Sequence, residues 1–202
     1  MKSTDIINGL ETIANQYSYI AVIWHILFYS LIIALLFKWE PSNKLFGILM
    51  IFPVLSVAVL AWVNGNPFNG LIFSIMAILL LYFALKASDQ PVNTSQTIFK
   101  AIGILMIIFG LVYPHFIETT SVVKYLYSSP AGLVPCPTLS VIIGFILLFN
   151  GFGVQSINLL FIIGGLFYGL FGAFKLGVYL DFGLILGSIT LLIKYILSLK
   201  LT

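Results

Sequence analysis

Apolar runs of 16 to 21 residues follow one another along this chain, with only short polar stretches between them. A helix of about 20 apolar residues crosses the hydrocarbon core of a bilayer. Backbone in lipid must satisfy its own hydrogen bonds, so such runs are read as helices. Seven can be drawn: 18–37, 45–63, 68–86, 98–117, 134–149, 154–174 and 179–199. Composition points the same way. Of 202 residues, 61% are hydrophobic and 7% charged, against about a quarter charged in soluble domains. The expected fold is all-α, a polytopic transmembrane helix bundle forming a single domain over 18–202, with no soluble domain.

Residues 1–17 differ. Ile6, Ile7, Leu10, Ile13, Ala14 and Tyr17 recur on a helical period, with Asp5, Glu11 and Gln16 on other faces. This predicts a short N-terminal helix lying in the membrane interface. A cleaved secretory signal puts a basic segment directly before a short apolar run; here a polar segment precedes a full-length one, so no cleavage is expected.

Seven crossings place the termini on opposite sides. Cytoplasmic loops are enriched in lysine and arginine. With the N-terminus outside, the inner side holds Lys38, Lys44, Lys86, Lys100, Lys194 and Lys200, and the outer side Lys2, Lys124 and Lys175. The expected orientation is N-out and C-in, in the cell's inner (plasma) membrane. Trp39, Trp62, Tyr82, Tyr113, Tyr179 and Tyr195 fall near the run ends, as interfacial anchors do. The lysines form no cluster of the kind that binds nucleic acid, so the bilayer is the expected partner.

Glycine gathers late in the chain. Gly165 and Gly169 in the sixth run, and Gly183 and Gly187 in the seventh, stand four apart, a spacing that lets helices approach closely in lipid. A tight final hairpin is expected; the alternative use of either face is a homo-oligomer or another membrane protein.

The stretch SSPAGLVPCPTLS at 128–140 holds the single cysteine, Cys136, between Pro135 and Pro137. Residues before proline are pushed from the helical region, so Val134 and Cys136 are expected to be extended. The helix should begin at Thr138, with Thr138 or Ser140 as cap. Two readings stand: Cys136 packs as a small apolar residue in a rigid turn, or Pro135, Cys136, Pro137 and Thr138 form a functional corner presenting a thiol at an outer vestibule. Where Asn150 and Gly151 close this fifth run early, the segment either crosses fully or is re-entrant.

On the same outer side the sequence places His115, Glu118, Asn64, Asn66, Lys175 and Asp181. His115 and Glu118 would share a face if the fourth helix continued past the membrane, and Lys175 and Asp181 could pair across the last turn. His25 and His115 are the weak candidates for axial ligands of a haem. A lone cysteine excludes the usual paired-cysteine metal and redox patterns, so no metal and no cofactor are assigned. A proline-cysteine-proline triplet also occurs in heavy-metal pumps, but those pair it with large cytosolic domains, and no connecting loop here exceeds about twenty residues. The interiors of the second to sixth runs hold no charge, which disfavours an ion-coupled carrier.

Two stretches, GLVPCPTLSVIIGFILL at 132–148 and LFYGLFGAFKLGVYLDFGLILG at 166–187, carry a resemblance. Their Pro-Cys-Pro-Thr corner and the Asp-x-Gly-Leu opening at Asp181, Gly183 and Leu184 resemble an uncharacterised bacterial family of multi-span membrane proteins, a domain of unknown function. The resemblance implies a polytopic membrane protein and brings no activity with it. Three functions stay open: a passive facilitator or transport component for a small solute, a non-catalytic complex subunit or assembly partner, and a thiol- or cofactor-dependent membrane enzyme. Convergent acid, base and nucleophile groups, which enzymes need, are sparse.

Overall fold

The computed structural model describes residues 3–200 and is all-α. Its helices are α1 (Ser3–Gln16), α2 (Ser18–Leu36), α3 (Asn43–Leu49), α4 (Ile51–Val63), α5 (Pro67–Leu85), α6 (Thr97–Leu111), α7 (Tyr125–Ser128), α8 (Pro135–Leu148), α9 (Gln155–Leu170) and α10 (Asp181–Leu199). A π-helical turn, Phe171–Leu176, extends α9. Five helices are long and apolar enough to cross a membrane: α2, α3 with α4, α5, α9 with its π turn, and α10. α6 and α8 are apolar but shorter.

Sequence chemistry sets the ends of these elements. The break at Met50 between α3 and α4 lies where Pro53 cannot donate to the Leu49 carbonyl and its ring crowds that turn. α5 starts on Pro67, with the Asn66 side chain accepting from the Asn69 N–H at 3.1 Å, a strong N-cap. The fourth apolar run does not continue to 117 as its hydropathy predicts. α6 ends at Leu111, because Pro114 biases Tyr113 away from the helical region and offers no N–H.

α8 is the axis of the molecule. Leu139, Val141, Ile142, Ile143, Phe145, Ile146 and Leu147 are all completely buried, so every face of this helix meets protein. α6 lies antiparallel to it at backbone contact. A Cβ on Gly103 would stand 2.7 Å from the Gly144 carbonyl oxygen, and one on Gly110 2.6 Å from the Pro137 carbonyl oxygen. α10 runs parallel to α8, as the pairs Asp181–Cys136 and Lys194–Ile146 show. α9 and α10 form the expected tight hairpin: a Cβ on Gly169 would meet the Ile185 nitrogen at 3.1 Å. Gly165 faces Ser188, while Gly183 and Gly187 face Phe109 and Met106 of α6. These small-residue faces are therefore filled by the chain's own helices.

α1 forms as the expected short N-terminal helix. Leu10, Ile13 and Ala14 are buried against the end of the bundle, so the apolar face covers protein. The Ser3 hydroxyl donates to the Lys175 carbonyl at 3.0 Å. The Asn15 amide donates to the Phe116 carbonyl at 3.0 Å and its oxygen accepts from the Glu118 N–H at 3.0 Å. α1 is thus a cover pinned at both ends.

Candidate functional site

Beneath α1 the helix N-termini of α8 and α10 meet. Pro135, Cys136 and Pro137 form the first turn of α8, so the expectation of a helix starting at Thr138 is corrected. The first turn of a helix has no internal use for its N–H groups, and two prolines there cost no hydrogen bond. Val134 is extended, with φ −126° and ψ 158°; Cys136 is helical. Neither Thr138 nor Ser140 caps the helix. The Thr138 hydroxyl donates to the Val134 carbonyl at 2.7 Å and accepts from the Gly132 N–H at 2.8 Å, and Ser140 donates to the Cys136 carbonyl at 2.9 Å.

The approach to α8, residues 129–134, is non-helical backbone that is buried throughout. Such backbone persists inside a bundle only when its polar groups are paired. The Leu133 and Val134 N–H groups donate to the Pro130 carbonyl at 3.1 and 3.2 Å. Gly132 takes φ +81° while the Trp24 indole lies against its Cα; a side chain would be strained there and would collide with that ring. The open carbonyls at the end of α6 are used as well. Ser129 donates to the Gly110 carbonyl at 3.1 Å, and the His25 Nε2 stands 2.9 Å from the Leu111 carbonyl.

Cys136 lies on the floor of a cavity, largely buried. It is 8% exposed, and its Sγ–H donates to Asp181 Oδ2 at 3.2 Å. Tyr113, completely buried, donates its hydroxyl to Asp181 Oδ1 at 2.6 Å. Asp181 itself is 1% exposed. A buried carboxylate needs donors and favourable dipoles. Here it has a phenol, a thiol, its own position in the first turn of α10, and the first turn of α8 beside it. A Cβ on Gly172 would overlap Asp181 Oδ2, so glycine leaves room for the carboxylate under the π turn.

A cavity of about 250 Å³ opens next to this cluster. Ile6 and Leu10 of α1 roof it, Asn66, Phe68 and Asn69 of the α4–α5 turn line one side, and Cys136, Tyr168 and Asp181 its floor. The walls are mainly apolar. Tyr168 donates to Asn69 Oδ1 at 3.0 Å, which ties α9 to α5 across the cavity.

The other residues expected on the outer side are scattered. Lys175 is exposed and does not pair with Asp181; its carbonyl takes the Ser3 hydroxyl. His115 sits beyond the end of α6 and shares no helix face with Glu118. Its ring packs edge-on to Phe116 with centroids 4.3 Å apart, and Nε2 is buried without a partner among the described residues. Burial holds this imidazole below its ordinary range, with the Glu11 carboxylate acting in the opposite direction. Asn64 closes α4 by donating to the Leu60 carbonyl at 2.8 Å. His25 places Nδ1 2.8 Å from the Ala21 carbonyl and Nε2 2.9 Å from that of Leu111. Both nitrogens face backbone carbonyls, and a neutral imidazole donates to one of them.

Tyr113, Tyr168 and Asn69 belong to the site although the sequence does not single them out for it. Tyr113 reads as an interfacial anchor, yet it is buried at the centre of the cluster. Searched against protein-family models, curated proteins and solved structures, the chain finds no match.

Proposed function

We propose that this chain is a multi-pass protein of the inner (plasma) membrane that binds a small, largely apolar solute in the cavity beneath α1, as a component of its transport. The observation that carries this reading is the roofed cavity itself, apolar walls converging on the Cys136–Asp181–Tyr113 cluster. Ligand sites have this composition: mostly apolar lining with a few placed polar groups. The solid packing of α8 argues against an open pore, so the site serves a carrier that opens to one side at a time.

Seven crossings are part of this reading: to the five long apolar helices it adds the shorter α6 and α8, which pack antiparallel to each other. The N-out orientation is supported by the lysines: Lys38, Lys44, Lys86, Lys100, Lys194 and Lys200 lie toward one end, Lys124 and Lys175 toward the other; Lys2 lies outside the described residues. Membership of the resembled family is part of the proposal. Its two motifs, distant in sequence, supply the two partners of the Cys136–Asp181 hydrogen bond.

The subunit reading draws on a different observation, an apolar groove of about 610 Å³ bordered by Ile32 and Leu35 of α2 and Ile104 and Ile108 of α6.

The test is to purify the protein gently, denature it, and analyse what is released by mass spectrometry. Wild type should release a small apolar compound that Leu10→Trp, with an indole in the cavity, does not retain. Indistinguishable extracts would remove the binding site from consideration. The released compound should then cross proteoliposomes only when the protein is present; retention without flux would favour the subunit reading.

A further inference from the structure

The far end of α10 carries a second buried charge. Lys194 is 7% exposed, yet its ammonium has one hydrogen bond, to the Ile146 carbonyl at 3.3 Å. Two of its three N–H groups have no partner among the described residues, and no carboxylate among them pairs with it. Burying a cation without a counter-charge is costly, so the position of this lysine calls for an explanation that packing does not give. A methionine would fill the same space.

Lys194 lines a pocket of about 320 Å³ that also takes in the start of α6. That helix begins at Thr97, and its first-turn N–H groups receive no side-chain cap from Gln96. The positive end of a 15-residue helix dipole and an ammonium therefore border one space. Neutral groups complete it. Ser95 accepts from the Asn150 N–H at 3.0 Å, which leaves its own proton free to donate, and the Thr94 and Asn150 side chains lie on the rim. Phe99 and Leu197 supply an apolar wall.

We infer that this pocket binds a phosphate group, most of its oxygens answered by Lys194, the α6 N-terminus and Ser95, with any organic remainder against Phe99 and Leu197. A tetrahedral oxyanion suits donors arriving from several directions. The phosphate can belong to a lipid headgroup or to a soluble phosphate; both present the same group to these donors. The site lies at the end of the bundle opposite the solute cavity and does not depend on the reading of that cavity.

Binding is measured on the purified full chain in a nonionic detergent with two probes: inorganic phosphate, and dihexanoyl phosphatidylglycerol below its micelle concentration. Sodium chloride at matched ionic strength is the control. At least one probe should bind saturably and raise the melting temperature where chloride does not. Lys194→Met should weaken that binding by about tenfold or more, the value of one charge-assisted hydrogen bond. Lys200→Gln, which removes an exposed lysine on the same helix end, should leave it unchanged. Response to both probes identifies the phosphate itself as the determinant; response to the lipid alone identifies a headgroup site. Absence of binding by either probe, or equal binding by wild type and a folded Lys194→Met, overturns the inference. Lys194→Arg keeps the charge, so its binding separates loss of the cation from loss of fold should Lys194→Met be poorly folded.

Discussion

The two ends of α8 solve the same electrostatic problem unequally. At its N-terminus Asp181 meets two helix starts and receives a phenol and a thiol; at its C-terminus Lys194 meets the open carbonyl of Ile146 and little else. Each charge has the sign that the adjoining helix dipole favours. The difference lies in what completes them. The acid is finished by the chain's own side chains, which makes it a fixture of the fold. The lysine is left with unspent donors, which makes its end available to something else.

Substitutions break this contrast in a definite order. The largest effect is expected from Asp181→Ala, which leaves the Tyr113 hydroxyl and Cys136 thiol without their acceptor. A loss of roughly 2–5 kcal/mol should follow, read as a collapse of folded yield in size-exclusion chromatography. Asp181→Asn, which keeps an acceptor oxygen, should recover part of it. Asp181→Ala at wild-type yield would mean that the cluster is incidental. Tyr113→Phe comes next, since it removes one donor to the carboxylate and preserves the ring; about 1–3 kcal/mol is expected, seen as a lower melting temperature. The smallest effect is predicted for Lys194→Met in phosphate-free buffer. Replacing a poorly paired buried cation by an apolar chain of similar length is near neutral or stabilising. A destabilisation as large as that of Tyr113→Phe would show that the two ends are equally structural.

The helical class and most element positions were legible because apolar runs and prolines act locally. Pro67 opens α5 and Val134 is extended as its neighbouring proline demands. Pro114 was an available signal for the end of α6, but the apolar residues Tyr113, Phe116 and Ile117 around it carry hydropathy past the true boundary. The contact of α1's apolar face with the rest of the chain was beyond local reading: an amphipathic helix offers the same pattern to a bilayer and to a protein surface. The Asp181 cluster joins residues 113, 136 and 181, and nothing local in the sequence ties those positions together. Attention to glycines four apart found the α9–α10 contact and missed the closer α6–α8 one. There Gly103 and Gly110 are seven apart, two turns along one face, and Gly144 answers from the facing helix.

The pinning of α1 bears on how the molecule is built in time. The Ser3 hydroxyl rests on the carbonyl of Lys175, 172 residues further along, and Leu10 shares the cavity with Leu176 and Asp181. α1 precedes the other described helices during synthesis, yet its seat includes the stretch after α6, the closing turns of α9 and the opening of α10. Until those are inserted, its apolar face has no protein to cover and must be sheltered by the membrane surface. α1 is made before its seat and is therefore among the last of the described helices to settle.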